Sequence, residues 1–246
     1  MWHTRVRILG TGLLFLIAML DSAQAADRDA EFAIRWKPLA GGPKTADDVI
    51  KLLALPKTEA DEYKVTYYSV TPPADVPPGY SVIARQRIKG EKKAQLMIKY
   101  RGSAPLPATF DIPGWKCALG EDAEMKYEVD ISFTSQKKSD RAYSLSCSLK
   151  SKGAIAFPDS LNAVQSGQSS DMLRYETNDL KIEEWTLYPS KEKIIEVSRS
   201  GSDTKSEYQA FAKNVGAKLI SSGAHPLNTS KSTTSKSTSK PAPCID

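Results

Sequence analysis

Charged side chains recur at every second position in three short segments of this sequence. The pairs are Arg85 with Arg87, Lys99 with Arg101, and Glu128 with Asp130. Side chains two residues apart on a β-strand point to the same face of the sheet, so each pair would present its charges together. Arginine and lysine neutralise phosphate oxygens, and carboxylates bind hard cations such as Mg²⁺. The three pairs therefore predict a phosphate site, if neighbouring strands bring them together.

Further charges extend this pattern to other segments. Glu31 and Arg35 share one face of a predicted strand, and Lys150 and Glu196 add one charge each. An ordinary solvated sheet face would also carry charges, and the sequence leaves that interpretation open. Two observations argue against it: the basic pairs are rich in arginine, and the acidic pair belongs to a separate segment.

The composition disfavours several other kinds of functional site. The only histidines are His3 and His225, so a histidine-based triad or metal site is not credible. The cysteines lack the Cys-x-x-Cys spacing of metal sites, and the sequence has no glycine-rich phosphate loop. The formal net charge of +5 is too mild to predict nucleic-acid binding, so we expect no specific nucleic-acid partner.

The elements that would position the charges are strands. Several segments alternate apolar and polar residues, which is typical of strands with one buried face. They are residues 30–37, 63–70, 81–88, 94–101, 125–134, 142–150, 180–188 and 193–199. About eight strands are enough to close a barrel. The sequence thus predicts a mainly β (α+β) fold, an eight-stranded antiparallel β-barrel or tunnel with a few packed helices.

Two segments predict helices that pack on this sheet. Thr45 caps the first, and the carboxylates that follow it suit the positive end of a helix. The second begins near residue 203, where apolar residues become spaced by three and four. We expect residues 151–178 to form a long loop, with a short helical turn around residues 159–164.

Five motifs follow one another in an order that can be compared with a known family. They are Glu31-Phe-Ala-Ile-Arg35-Trp36, Tyr67-Tyr68 ahead of Ile83-Ala84-Arg85-Gln86-Arg87, Leu96-Met97-Ile98-Lys99-Tyr100-Arg101, Tyr127-Glu128-Val129-Asp130 and Ile195-Glu196-Val197-Ser198-Arg199. In this order they resemble the opening Glu-x-Glu-x-Lys motif, the Leu-Arg-x-Arg strand, the next lysine-bearing strand, the acidic hairpin strand and the late Glu-x-Glu strand of the CYTH, or triphosphate tunnel metalloenzyme, superfamily. The resemblance spans residues 31–223.

The resemblance implies a tunnel of antiparallel strands whose lumen binds or cleaves triphosphates with Mg²⁺ or Mn²⁺. Lys99 and Glu128 would then act as catalytic residues. The substrate-binding residues would be Arg35, Arg85, Arg87, Lys99, Arg101 and Lys150, and the metal ligands would be Glu31, Glu128, Asp130 and Glu196. The predicted partner is a phosphate-rich small anion, such as a triphosphate or polyphosphate.

Three positions depart from the family pattern. Ala33 replaces the second glutamate of the opening motif, Arg35 replaces its lysine, and Ser198 replaces the second acid of the late pair. Lost carboxylates weaken metal binding, because a hard cation is held mainly by negatively charged oxygens. A second hypothesis is therefore a non-catalytic periplasmic or envelope binding protein on the same fold. A third is a lipocalin-like barrel with an apolar cavity for an apolar ligand.

The ends of the chain predict export. Basic residues precede a short apolar run and Ala23-Gln24-Ala25, so we expect a signal peptide at residues 1–25, cleaved after Ala25. The β-tunnel domain would span residues 26–224, followed by a disordered Ser/Thr/Lys-rich tail at residues 225–246. Lysines of the tail would make weak contacts with an anionic envelope surface. We expect a periplasmic or secreted protein with no transmembrane segment in the mature chain.

The cysteines allow one internal disulfide. An exported protein meets oxidants, and the chain carries Cys117, Cys147 and Cys244. A bridge from Cys117 to Cys147 is favoured, because both lie within the predicted fold. The alternative is that Cys147, between Leu145 and Leu149, is a buried free thiol. In either case at least one thiol is left over.

Overall fold

The computed structural model of the chain describes residues 28–90, 93–107, 109–111 and 114–227. The predicted signal peptide and most of the predicted tail lie outside these described residues. Within them, no helix combines the length and the apolar character that crossing a membrane requires.

The described residues form nine β-strands in a closed barrel, in the order β1-β5-β6-β4-β3-β2-β7-β8-β9. They are β1 Asp29–Trp36, β2 Asp61–Ser69, β3 Tyr80–Lys89, β4 Lys93–Gly102, β5 Glu124–Phe133, β6 Ser139–Ser151, β7 Val164–Thr177, β8 Leu180–Tyr188 and β9 Lys193–Ser202. Strand β1 closes the barrel by pairing parallel with β5 and antiparallel with β9. The predicted mainly β barrel is confirmed, with nine strands in place of eight and one parallel pair.

The strand that the sequence did not predict is β7. Its first half is rich in serine and glutamine and contains Gly167, so it lacks the apolar alternation that indicates a strand. Backbone pairing with β2 and β8 holds it in the sheet despite this composition. The predicted loop over residues 151–178 is therefore wrong for its second half. A 3₁₀ turn at Asp159–Leu161 does lie where a short helical turn was expected.

Both predicted helices are present. The first, α1, spans Ala46–Leu53, and the Thr45 hydroxyl accepts a hydrogen bond from the backbone N–H of Asp48. The Asp48 carboxylate in turn accepts a hydrogen bond from the backbone N–H of Thr45. Each of the two side chains therefore satisfies the backbone N–H of the other residue, which is the capping-box arrangement. The second consists of α2 Lys205–Phe211, a π-helical turn Ala212–Gly216 and α3 Ala217–Ser221.

The helices cover one side of the barrel. Phe32 of β1 and Phe133 of β5 point outward and contact Phe211 of α2, with ring centroids 6.0 and 5.3 Å apart. All three side chains are buried, and each contributes about 1.5–3 kcal/mol to stability by leaving water. Since these apolar residues occupy alternate positions on their strands, the residues between them face the barrel interior.

Loops cover the opposite side, over β3, β4 and β6. Trp115, in the loop after β4, packs edge-on against Tyr100 with ring centroids 5.4 Å apart. A disulfide between Cys117 and Cys147 joins the same loop to β6. The favoured cysteine pairing is thus confirmed, and Cys244 lies outside the described residues.

The chain continues past α3 to lie against β1. Pro226 forms a β-bridge with Trp36, and the backbone N–H of Leu227 donates to the Arg35 carbonyl at 2.8 Å. The first residues of the predicted tail therefore contact the barrel. Residues 228–246 lie outside the described part of the chain.

Replacing both Cys117 and Cys147 by alanine should lower the free energy of unfolding by about 3–4 kcal/mol, because the bridge closes a loop of 30 residues. Equilibrium urea unfolding of the oxidised wild type and the variant measures the difference. Reduction of the wild type should reproduce the loss. Equal midpoints for oxidised and reduced protein would show that the bridge does not stabilise the fold.

Candidate functional site

Strands β3, β4 and β5 point their charged side chains into the barrel. Ala84 and Ile98 belong to the outer apolar layer, so Arg85 and Lys99, one position along each strand, face inward. The same alternation turns Glu128 inward on β5. Charges that the sequence placed on separate strands therefore meet on one inner face. The interpretation of these charges as a solvated outer sheet face is wrong.

The inner face encloses a cavity of about 590 Å³. Its cationic lining residues are Arg85, Arg87, Lys99, Arg101, Lys126, Arg174 and Lys181. Its carboxylates are Asp29, Glu31, Glu124, Glu128 and Glu183. The wall is charged with an excess of cations, whereas the lipocalin-like alternative predicts an apolar one.

Arg87 is a buried cation on this wall with unmet hydrogen-bonding capacity. Its Nε and Nη2 atoms have no hydrogen-bond partner among the described residues. Burial, with a smaller contribution from the nearby charge of Arg85, lowers the pKa of its guanidinium to about 9. The guanidinium carbon lies 5.5 Å from the centre of the Tyr63 ring, a contact that offsets part of the desolvation. Arg87 remains charged at neutral pH, and an anion would stabilise it.

Two more cations line the cavity without a hydrogen-bond or ion-pair partner in the described part of the chain. Arg85 lies two residues before Arg87 on β3, and Lys181 lies on β8 beside Ser198 of β9. We call Arg85, Arg87 and Lys181 the unpaired cations. Their charges are available to a ligand that enters the cavity.

Six charged lining residues were missed by the sequence reasoning, and two of them, Asp29 and Glu124, lie one residue before the predicted strands at 30–37 and 125–134. Arg174 lies on β7, which was not predicted as a strand, and its Nη2 atom is 2.6 Å from Oε1 of Glu183. Lys181 and Glu183 stand two residues apart on a strand that was predicted, and Lys126 stands two residues before Glu128. The rule of alternate positions, applied to every predicted strand, would have found these three.

Lys99 lies between two carboxylates. Its Nζ atom is 3.2 Å from Oε1 of Glu128 and 3.1 Å from Oδ2 of Asp130. Lys126 Nζ is 2.6 Å from the other Glu128 oxygen, and Arg101 Nε is 3.5 Å from Asp130 Oδ2. Burial by itself raises the pKa of the Asp130 carboxyl, but the charges of Lys99 and Arg101 bring it below its ordinary value. We call these five residues the Lys99 cluster.

Arg35 and Glu196 form a buried ion pair, and neither residue lines the cavity. Arg35 Nε donates to Oε2 of Glu196, and Nη1 donates to Oγ of Ser132 at 2.8 Å. Burial lowers the pKa of the Arg35 guanidinium, but the charge and hydrogen bond of Glu196, together with the charges of Glu31 and Asp130, outweigh this effect, and the net pKa is raised. Glu31, which does line the cavity, accepts a hydrogen bond from Ser198 Oγ at 3.2 Å. Arg35 therefore contacts the barrel's own carboxylate in place of a ligand.

Lys150, also predicted to bind substrate, forms an exposed ion pair with Glu124. Its Nζ atom is 2.8 Å from Oε2 of Glu124, and the two side chains are 62% and 69% exposed. Exposed pairs of this kind contribute about 0–1 kcal/mol, so a ligand can displace either partner easily. Lys150 thus differs from the other predicted substrate-binding residues, because its side chain is largely exposed to solvent.

The predicted metal ligands do not converge on one point. No group of three or more His, Cys, Asp or Glu side chains is arranged to hold a metal ion in the described ranges. Glu128 and Asp130 are held by cations of the Lys99 cluster, and Glu196 is held by Arg35. An oxygen engaged by an ammonium or guanidinium group ligates a metal only if that contact breaks. These residues do not fit a Mg²⁺ or Mn²⁺ centre, and we derive no step through such an ion.

No family model matches the chain, and no curated protein matches it. Similar solved structures include the PH1012 protein of Pyrococcus horikoshii OT3, with 12% identity and a TM-score of 0.43 over 80% of this chain and 96% of that one. The PH1819 protein of the same organism has 10% identity and a TM-score of 0.42, over 80% and 93% of the two chains. A conserved hypothetical protein of Pyrococcus furiosus has 12% identity and a TM-score of 0.39, over 80% and 96%. Similarities at this level carry no argument about function.

Replacing Arg35 by methionine should lower the free energy of unfolding by about 3–5 kcal/mol, because the buried Glu196 charge loses its guanidinium partner. The double variant Arg35→Met/Glu196→Met should recover much of this loss, since both charges are removed together. Urea unfolding of the three proteins tests this. An Arg35→Met variant as stable as the wild type would show that the ion pair has no structural role.

Replacing Arg87 by methionine should raise the free energy of unfolding by about 1–2 kcal/mol, because it removes buried donors that lack partners. Arg174→Met is the matched control. Both guanidinium groups lie over the Tyr63 ring, but Arg174 is ion-paired with Glu183, so its loss should destabilise the protein. Thermal unfolding in an anion-poor buffer compares the two. Destabilisation of equal size in both variants would contradict the assignment of Arg87 as an unpaired cation.

Proposed function

We propose that this chain binds a phosphate-rich anion in the barrel cavity. The observation that carries the proposal is the set of unpaired cations, Arg85, Arg87 and Lys181, all of which line this cavity. A buried charge without a partner is energetically costly, and a bound anion removes that penalty. Phosphate groups suit arginine, because its planar guanidinium donates two parallel hydrogen bonds to their oxygens.

The size and polarity of the cavity support a small polar ligand. Its volume of about 590 Å³ lies within the range of about 300–1,000 Å³ that is usual for small-molecule sites. The neutral side chains of Gln95, Ser148 and Ser200 also line it. Amide and hydroxyl groups donate hydrogen bonds to phosphate oxygens without adding charge. A di- or triphosphate group therefore has both cations and neutral donors within the same cavity.

In this proposal the protein is a divergent, exported member of the CYTH superfamily. The order of the charged motifs supports the family, and a closed barrel with inward charges is consistent with it. Export is supported by the predicted signal peptide and by the Cys117–Cys147 disulfide, since disulfides persist in oxidising compartments. We infer a periplasmic or secreted location on these grounds.

Binding is better supported than hydrolysis. Lys99 and Glu128, the predicted catalytic residues, form an ion pair with each other, and Lys126 holds the second Glu128 oxygen. Both oxygens of the Glu128 carboxylate are therefore already engaged by ammonium groups. The proposal is therefore a non-catalytic anion-binding protein, with triphosphate hydrolysis as the alternative that an assay has to reveal.

Tripolyphosphate should bind the mature protein, and Arg85→Ala/Arg87→Ala should weaken the binding by at least about 100-fold, because two charged hydrogen-bond donors are lost. Isothermal titration measures both affinities. The matched control is Lys64→Ala/Lys213→Ala, which removes the same charge from exposed positions and should bind almost as the wild type does. Equal losses of affinity in both double variants would show that net charge alone determines binding, and would contradict a cavity site.

Phosphate release from tripolyphosphate and from ATP, with and without Mg²⁺ or Mn²⁺, separates binding from catalysis. We expect no release above that of the Arg85→Ala/Arg87→Ala variant under any of these conditions. Metal-dependent release that disappears in Glu128→Gln would establish the hydrolase alternative instead.

A further inference from the structure

The Lys99 cluster places an ammonium group in contact with two neighbouring carboxylates of β5, Glu128 and Asp130. Resting on the proposed function of this cavity, we propose that Lys99 takes the place of a divalent cation between Glu128 and Asp130. The cavity then binds its phosphate-rich ligand without a metal ion. The ligand class is a polyanion recognised as the free anion and not as its magnesium complex.

The contacts of the two carboxylates carry this inference. Lys99 Nζ lies 3.2 Å from Oε1 of Glu128, and it is 3.3 and 3.1 Å from Oδ1 and Oδ2 of Asp130. The remaining Glu128 oxygen, Oε2, lies 2.6 Å from Lys126 Nζ. Every oxygen of the two carboxylates therefore contacts a cationic nitrogen. A metal ion could ligate this pair only by displacing an ammonium group that is already held there.

The surroundings of Lys99 keep it in this position. Its side chain is 15% exposed, while those of Glu128 and Asp130 are 11% and 5% exposed. Ion pairs in such partly desolvated places are stronger than at the surface, because water screens them less. Arg101 adds a second cation beside Asp130, with Nε 3.5 Å from Oδ2. The ammonium group is thus held by two largely buried carboxylates.

The charge of the cluster favours an anion without help from a metal. Its three cations and two carboxylates leave a net charge of +1. The same two carboxylates with a divalent cation, and without the basic side chains, would be neutral. Lys99, Arg101, Lys126 and Glu128 all line the cavity that also contains the unpaired cations. An anion in this cavity therefore meets a positive wall that the protein itself supplies.

Removal of the Lys99 ammonium should create a metal site. Lys99→Ser leaves Glu128 and Asp130 facing a vacated space, so its Kd for Mn²⁺ should fall at least about tenfold below that of the wild type. Mn²⁺ binding is measured by electron paramagnetic resonance without any anion present. Lys64→Ser, which removes one charge from an exposed position, should show no gain, and Lys99→Ser/Glu128→Gln should lose it. Absence of a gain in correctly folded Lys99→Ser, judged by circular dichroism, would overturn the proposal.

A second measurement uses the wild-type protein, so that it does not depend on how the variants fold. The Kd for tripolyphosphate should be equal within about twofold in EDTA and at a Mg²⁺ concentration that leaves most of the anion uncomplexed. If tripolyphosphate bound only in the presence of Mg²⁺, the proposal that Lys99 takes the place of a metal ion would be wrong. Absence of anion binding in both conditions would instead reject the proposed function, while the Mn²⁺ experiment still decides the role of Lys99.

Discussion

Charge balance inside a closed sheet is the constraint on which this structure depends. Alternate residues of each strand must face the interior, where water is scarce and an isolated charge is costly. The carboxylates are accordingly placed beside cations, as in the pairs of Glu196 with Arg35 and of Glu183 with Arg174. Cations without a carboxylate partner, such as Arg85 and Arg87, are available to contact a ligand in the cavity.

This balance divides the basic residues into two groups with different roles. Arg35 and Arg174 hold strands together through carboxylates of neighbouring strands, so their charges are already used. Arg85 and Arg87 stand next to each other on one face of β3, where their mutual repulsion adds to the cost of burial. In the proposed function, this pair would exchange stability of the free protein for affinity toward an anion.

Much of the inner face could be predicted from the sequence, because a period of two assigns each residue of a strand to one side. That rule correctly turned Arg85, Lys99 and Glu128 to the same face. It failed for β7, where serine and glycine replace the apolar residues that would have marked the buried positions. As a result Arg174 was missed, although it lines the cavity.

Strand order could not be predicted in the same way. Lys99 and Glu128 are 29 residues apart, and they meet because β6 lies between β4 and β5 with Ser146 in register with Lys99 and with Lys126. Periodicity shows which face a residue occupies but not which strands are neighbours. The ion pairs of Glu128, Asp130 and Glu196 depend on that strand order. They could therefore be recognised only once the fold was known.

The closure of the barrel by β1 and β9 also determines when a working cavity can exist. Arg35 near the beginning of the fold pairs with Glu196, 161 residues later. Pairings across such separations form slowly, because the entropy of closing a long loop is lost before the contacts contribute any favourable energy. Until β9 arrives, β1 has one open edge and the inward charges remain hydrated. In the proposed function, anion binding therefore becomes possible only late in folding, because the last strand completes the cavity.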